Sequence, residues 1–561
     1  MCFPHKLLSE EQRILFERSM ERLDQGWNEE AGMLARSFNG REYHDLRGSC
    51  HYALGLLVRN AEGDQERAVR ILEKVLNSQY LEDPDMPYYG DFPQDERRPA
   101  PPHEPLTDER FDAVSRYYLE KWIEQIRGKM QHHLRDAGYS EEKIGQIEGL
   151  ARQSVLETVP VVWGNWDANW REFVATELAM ILIFGEDKLD PELVQRIEEA
   201  ACRAVFGSIR RWKDHVVPMN TNVELMHVFI CAYYGERLGR QEYLDQAREA
   251  ARDIAARYDE TDSFAEFNST TYYSVDLQAL STWRLYIRDP EIHEIGCRLE
   301  AGLWQNIAEM YHPGLNQVCG PFARNYDNDM ALHSMLPAYL YLAFGEEKPF
   351  PLFNVETAAY IDAALNGTIV PDTVREQLLH WTGKQFVKKQ FRELMERGLP
   401  GDDTTLCDVT ATIDEDWMMG AMKGSRNTSG QLRSFAAFWK NGDEVLDMML
   451  TRRVPGGREG EHLWTVYFNG TVEDDRLTMD VTPDLDRDLE VVFTIHGTRL
   501  SPDCIEKDRW TLPGAVFHVA TDAGTPKVIT IPNGLEIVYF WKEGSPAMHF
   551  ELKRLLFSTK P

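Results

Sequence analysis

The sequence is poor in positive charge: 61 Lys and Arg stand against 92 Asp and Glu, a formal net charge of −31. A phosphate backbone is bound through a basic stripe, and none is visible, so nucleic acid is excluded as a partner. Long hydrophobic runs are missing as well. No window reaches about 18 apolar, uncharged residues, the length a membrane helix needs, and the opening stretch MCFPHKLLSEEQRILFERSM has no apolar segment of the kind that directs secretion. These absences predict a cytoplasmic protein with no membrane partner. The eight cysteines, at 2, 50, 202, 231, 297, 319, 407 and 504, form no C-x-x-C pair and no zinc spacing, so free thiols in a reducing compartment are expected. P-loop, G-x-G-x-x-G and G-x-S-x-G patterns are absent too. The expectation is therefore no nucleotide, no flavin and no metal: a protein without a cofactor.

What is present in quantity is core material. Hydrophobic residues make up 43% of the chain, with 14 Trp, 22 Tyr and 25 Phe, enough large apolar side chains for more than one core. From residue 9 to about 345 apolar residues recur at i, i+3, i+4 and i+7 between short Gly, Pro or Asp breaks, as in PELVQRIEEAACRAVFGSIRRW and NVELMHVFICAYYGERLG. Roughly a dozen helices are predicted there. Residues 346–400, punctuated by Pro349, Pro351 and Pro371, read as a helical linker. From about 404 the period shortens: LWTVYFNGTV, LEVVFTIHGT and LEIVYFWKE are β-branched, aromatic and bounded by turn residues. The domains expected are thus 1–345 helical, 346–400 linker and 401–561 antiparallel β-sandwich.

Polar, aromatic-rich stretches recur through the helical part, starting near His44, Thr107, Trp166, Asn222, Asn268 and Arg324. Each opens or precedes a helix, about one helical hairpin after the last. An (α/α)6 toroid, complete or incomplete, predicts this phase, because its inner helices run in one direction and their N-terminal ends gather at one mouth. The fold class expected is mainly α with C-terminal β.

The candidate functional residues lie in these stretches. FAEFNSTTYYSVD (264–276) crowds Glu266, Asn268, Tyr272 and Tyr273 at a helix start, where a phenol can be poised to give or take a proton; Ser269 or Thr270 can cap that helix. VVWGNWDANW offers Trp163 and Trp166 to stack on a sugar ring and Asn165 to bond its hydroxyls. In VVPMNTNVELMHVF, Asn222 can cap a helix or reach the ligand, and His227 can act as a catalyst or as a bonded core residue. Arg324 can bind a carboxylate, with Tyr326, Asp327 and Asp329 beside it. At the first inner helix, HDLRGSCHYALG carries His44, Asp45, Arg47 and His51, of which His44 and Asp45 can line the cleft or merely stabilise the helix start.

A helical toroid followed by a sandwich, with CDVTATIDEDWMMGAMKGSRNTSGQ (407–431) opening the sheet, resembles the chondroitin-AC-type and heparinase-II/III-type polysaccharide lyases. That resemblance implies a lyase that neutralises a uronate carboxylate and eliminates across the glycosidic linkage. Asn222, Asn268 or Arg324 would neutralise, Tyr272 or Tyr273 would serve as base and acid, and His227 as their partner. The substrate implied is an oligosaccharide. Two alternatives stand beside it: a cyclase, isomerase or dehydratase acting on a small molecule of secondary metabolism, and a glycoside hydrolase using Glu266 with Asp327 or Asp329.

Overall fold

The structure is a computed structural model and describes residues 8–38, 41–97, 127–151, 167–214, 219–394, 404–425, 431–457, 466–483 and 487–555. Trp163, Asn165 and Trp166 lie outside the described residues.

The helices sort by how apolar they are around their circumference. Those polar on one side bury a single stripe: α7 (Gln241–Thr261) buries Tyr243, Gln246, Ala247, Ala250, Ala251, Ile254, Ala255 and Tyr258, a spacing of three and four. Those apolar all round are enclosed. Every residue of α6 (Thr221–Leu238) from Thr221 to Gly235 is buried, and α8 (Tyr272–Tyr286) is similar. The enclosed helices form the inner wall. α2 (Leu46–Arg59) packs on α4 (Trp170–Gly185), α4 on α6, α6 on α8, α8 on α11 (Tyr360–Asn366), and α11 back on α2, which closes a ring. α3 (Asp64–Asn77), α5 (Pro191–Asp214), α7 and α9 (Pro290–Met310) each pack on the inner helix that precedes them. α1 (Glu10–Asp24) covers α11, with α10 (Leu336–Phe344) beside it. The ring closes through five inner helices among the described residues.

Two features depart from the expected boundaries. The stretch read as helical from residue 9 contains a small sheet, β1 (Trp27–Asn28), β2 (Met33–Phe38) and β3 (Arg41–His44); the dipeptide Asn39-Gly40 is the hairpin signal that predicts it. A short pair, β4 (Tyr311–His312) and β5 (Gln317–Val318), follows α9. Residues 346–400 are not a separate linker. They supply α11, which closes the ring, then α12 (Asp372–Leu379), then β6 (Gln385–Leu394), the edge strand of the large sheet.

That sheet has eight antiparallel strands in the order β16 (Lys527–Ile531), β17 (Gly534–Trp541), β13 (Leu489–His496), β10 (Glu444–Arg453), β9 (Phe435–Asn441), β8 (Trp417–Lys423), β7 (Thr404–Asp414), β6. A second sheet, β11 (Val466–Glu473), β12 (Arg476–Pro483), β18 (Met548–Leu555), β15 (Ala515–Thr521), β14 (Arg509–Leu512), completes the sandwich. In β9, Phe435, Ala437 and Trp439 enter the sandwich core, whereas Ala436 and Phe438 enter the core of the helical ring. Side chains alternate between the faces of a strand, so the central strands are buried on both sides. The tight contact has a sequence signature: a Cβ on Gly420 would overlap the Gly320 carbonyl.

Candidate active site

The site forms where the loop 319–334 is pinned between the ring and the large sheet. On the sheet side, the Phe322 and Arg433 backbones exchange hydrogen bonds of 2.9 Å, and the Asn325 N–H donates to the Gln431 carbonyl at 2.8 Å. The Arg433 guanidinium donates to the Tyr326 carbonyl, and Asn328 to Asp447. On the ring side, Asn325 Oδ1 accepts from the Thr271 N–H and the Thr270 hydroxyl, both at 3.1 Å. Ser269 Oγ accepts from the Tyr272 N–H at 2.9 Å, the local capping that starts α8 there.

This scaffold brings four predicted residues into one group. Arg324 Nη1 donates to Glu266 Oε1 at 2.7 Å, and the other Glu266 oxygen accepts from the Asn222 N–H at the start of α6, at 2.9 Å. The Arg324 guanidinium carbon lies 4.0 Å from the centre of the Tyr272 ring, a cation–π contact in a water-poor setting. Gln431, from the sandwich, reaches the Tyr272 hydroxyl at 3.3 Å. The Asn222 side-chain oxygen is buried and has no hydrogen-bond partner. One turn into α8, Asp276 is fully buried with both carboxylate oxygens unbonded. Burial, reinforced by Glu266, pushes its carboxyl well above the usual carboxylate range. Burial likewise pushes the Tyr272 phenol well above its ordinary value, against the lowering influence of Arg324.

Outward from this group the surface opens. Tyr326 is 46% exposed; its ring centre is 6.0 Å from Tyr272 and 5.0 Å from His333. His333 pairs with Asp327, which raises the imidazole pKa. A small recess is lined by Thr221, Glu224, Arg257, Phe264 and Ala265 of the ring and Arg392 of β6; it includes no member of the Tyr272 group.

The other predicted residues are placed elsewhere. Tyr273 belongs to the apolar core of the ring. The Asn268 amide donates to the Cys319 and Pro321 carbonyls, at 2.5 and 2.9 Å, and is spent holding the loop; its φ of 58° suits Asn. His227 is not a partner of Tyr272. It bonds Ser208 at 2.8 Å, stacks on Trp212, and burial lowers its pKa to about 3, so it stays neutral. Asp45 caps α2 through the Gly48 N–H and pairs with Arg36. His44 bonds Glu96 and Glu42 at the edge of the small sheet. Asp329 accepts from the Ala331 N–H in its own turn, and burial raises its pKa. Sequence reasoning missed Asp276, His333 and Gln431. Asp276 follows Tyr272 by one helical turn, a signal that was readable; Gln431 comes from the other domain, and no local pattern reveals it.

Two groups of His, Asp and Glu side chains among the described residues are close enough to hold a metal: His44, Asp95 and Glu96, and His51, Glu177 and Asp362. Neither includes a member of the Tyr272 group. No helix among the described residues is long and apolar enough to cross a membrane.

A family model described as a domain of unknown function (DUF8769) matches residues 13–137 and 120–366. The chain belongs to this family. The match ends at Asn366, the last residue of α11, so it coincides with the helical ring. No curated protein matches the chain. Among solved structures it is similar to a heparinase III, at 8% identity and a TM-score of 0.32, over 98% of this chain and 84% of that one. It is also similar to the chondroitin AC lyase of Streptomyces coelicolor A3, crystallised with chondroitin sulphate, at 11% identity and a TM-score of 0.38, over 97% and 83%.

Proposed function

We propose that the chain is a carbohydrate-active lyase that eliminates across a uronic-acid linkage, with Tyr272 as base and acid. The observation that carries this reading is the stacking of Tyr272 on Arg324, with Glu266 fixing the guanidinium from behind. Elimination needs a group that removes the proton α to a carboxylate, and a positive or amide environment for the charge that then builds on that carboxylate. Arg324 supplies the charge. Asn222, joined to the same group through its backbone N–H on Glu266, would offer its side-chain NH2 as a second donor. With the Tyr272 phenol first ionised, the C5–H bond breaks and its proton passes to the phenolate oxygen. The C4=C5 double bond forms as the C4–O bond breaks, and the leaving oxygen takes the proton from the phenol. His333, half-exposed and raised in pKa by Asp327, would be a proton-carrying neighbour for the departing sugar, and Tyr326 offers a ring for stacking.

The hydrolase alternative receives less support, because Glu266 is committed to Arg324 and the Asn222 N–H rather than facing a second carboxylate across a bond. The burial of Tyr272 and Arg324, 6% and 8% exposed, favours a second reading: a dehydratase or isomerase using the same pair on a small metabolite. Incubation with a panel of uronate-containing oligosaccharides separates the two. Near-ultraviolet absorption from the unsaturated product, lost in Tyr272→Phe, supports the lyase. No absorption from any member of the panel refutes it.

A further inference from the structure

We propose that His51, Glu177 and Asp362 form a divalent-metal site that clasps the helical ring at its closure, an assignment independent of the Tyr272 group. The three residues come from α2, α4 and α11, the first two inner helices and the last one. His51 Nδ1 lies 2.6 Å from Asp362 Oδ2 and 2.9 Å from Glu177 Oε2, and the three donor atoms all fall within 4.8 Å of one another. Ligands held at about 2.0–2.2 Å from a common ion are separated by about 3 Å along each edge of the coordination shell. The two edges that run from His51 are therefore already near that spacing before any ion enters.

The side chains are 3%, 3% and 1% exposed. Two ionised carboxylates buried beside one imidazole leave one negative charge over even with the imidazole protonated, and a divalent cation that displaces that proton balances both. Among the described residues no Lys or Arg is ion-paired with any of the three. Beyond the contacts that join them, His51 Nε2 and Asp362 Oδ1 are buried without a hydrogen-bond partner. So is the hydroxyl of Tyr339 on α10, whose phenol feels the Asp362 charge.

The other cluster shows the contrast. His44 has both ring nitrogens bonded to carboxylates, and Asp95 in that group already carries Arg97. It has its cation.

One imidazole nitrogen with two carboxylate oxygens suits a first-row ion such as Zn²⁺ or Mn²⁺. The position gives the ion a structural task. α11 is only seven residues long, and it has to hold the end of the helical layer against its beginning. His51 lies about 8 Å along α2 from its first residue and Glu177 about 10 Å along α4, so the ion would sit inside the ring, below the mouth.

The test uses the full chain purified from cells grown with Zn²⁺ and Mn²⁺. Elemental analysis should find about one equivalent of metal per chain. Chelation with EDTA should lower Tm, and readdition of Zn²⁺ or Mn²⁺ alone should restore it. His51→Gln and Asp362→Asn should lose the metal, whereas His44→Gln should keep it. If either variant fails to fold, chelation and reconstitution of the unmodified chain remain decisive. Wild-type protein that holds no stoichiometric metal and shows no Tm response to either ion overturns the proposal, leaving a proton-sharing triad. Metal kept equally by both variants overturns it as well.

Discussion

Removing the Glu266 carboxylate probes the site most directly, because one side chain fixes both Arg324 and the start of α6. The ion pair spans 2.7 Å, with the Arg324 and Glu266 side chains 9% and 5% exposed. The second oxygen satisfies the Asn222 N–H. Truncation in Glu266→Ala deprives a buried guanidinium of this carboxylate and leaves an N–H unbonded. Breaking a buried pair on one side costs about 3–5 kcal/mol. Glu266→Gln keeps an oxygen for the Asn222 N–H and loses only the charge, so about 1–3 kcal/mol is expected. Asp276 modulates the outcome. Its carboxyl is pushed up by burial and by Glu266, so without Glu266 it ionises more easily and can partner Arg324. The double variant Glu266→Ala/Asp276→Asn should then be less stable than the two single changes sum to. Urea titration followed by tryptophan fluorescence, at constant m-value, reads the unmodified protein, Glu266→Ala, Glu266→Gln, Asp276→Asn and the double variant. A shift below about 1 kcal/mol for Glu266→Ala refutes the reasoning.

Tyr272→Phe should abolish turnover with little loss of stability. Tyr273→Phe, which removes a buried hydroxyl without a hydrogen-bond partner, should leave turnover intact and change stability by less than about 1 kcal/mol. Since burial lifts the Tyr272 phenol above its ordinary range, kcat/KM should climb continuously from neutral to alkaline pH; a plateau below pH 8 contradicts the assignment. His227 gives a stability signal of opposite origin. Its folded pKa of about 3 lies below the ordinary imidazole value of 6.5, so its contribution is present above 6.5 and lost as pH falls toward 3. Stability should drop by about 1 kcal/mol between pH 6 and 5 from this group, and His227→Gln should flatten that slope; identical slopes in the two proteins refute it. Gly420→Ala forces a Cβ into the Gly320 carbonyl and should cost at least about 1–3 kcal/mol, measured as a fall in Tm; an unchanged Tm contradicts the close packing of sheet on ring.

Architecture was legible in the sequence because it is written in periodicity. The all-round apolar α6 and the one-sided α7 are distinguishable from residue order alone, and so is the change to a period of two after residue 404. The small β1–β3 sheet was passed over because Asn39-Gly40 sits between two runs too short to outweigh the helical pattern around them. Within the site, Glu266, Tyr272, Asn222 and Arg324 could be grouped by phase, since inner helices that start at one mouth bring their first residues together. Direction within a turn was not legible. Tyr272 and Tyr273 differ by about 100° around the helix, and only the packing partners decide that one meets Arg324 and the other the core. His227 misled for a related reason: five residues beyond Asn222 it turns toward Ser208 and Trp212. Contacts across domains, such as Gln431 on Tyr272, and across the ring, such as His51 with Asp362, have no local signature.

The central claim is that Tyr272 removes a proton α to a carboxylate held by Arg324. Deuterium at C5 of an oligouronate substrate tests it directly. The account predicts that the unmodified protein releases that deuterium to solvent with a primary isotope effect on turnover, and that Tyr272→Phe releases none. Release at equal rates by both proteins, or turnover that leaves the C5 deuterium in place, contradicts it.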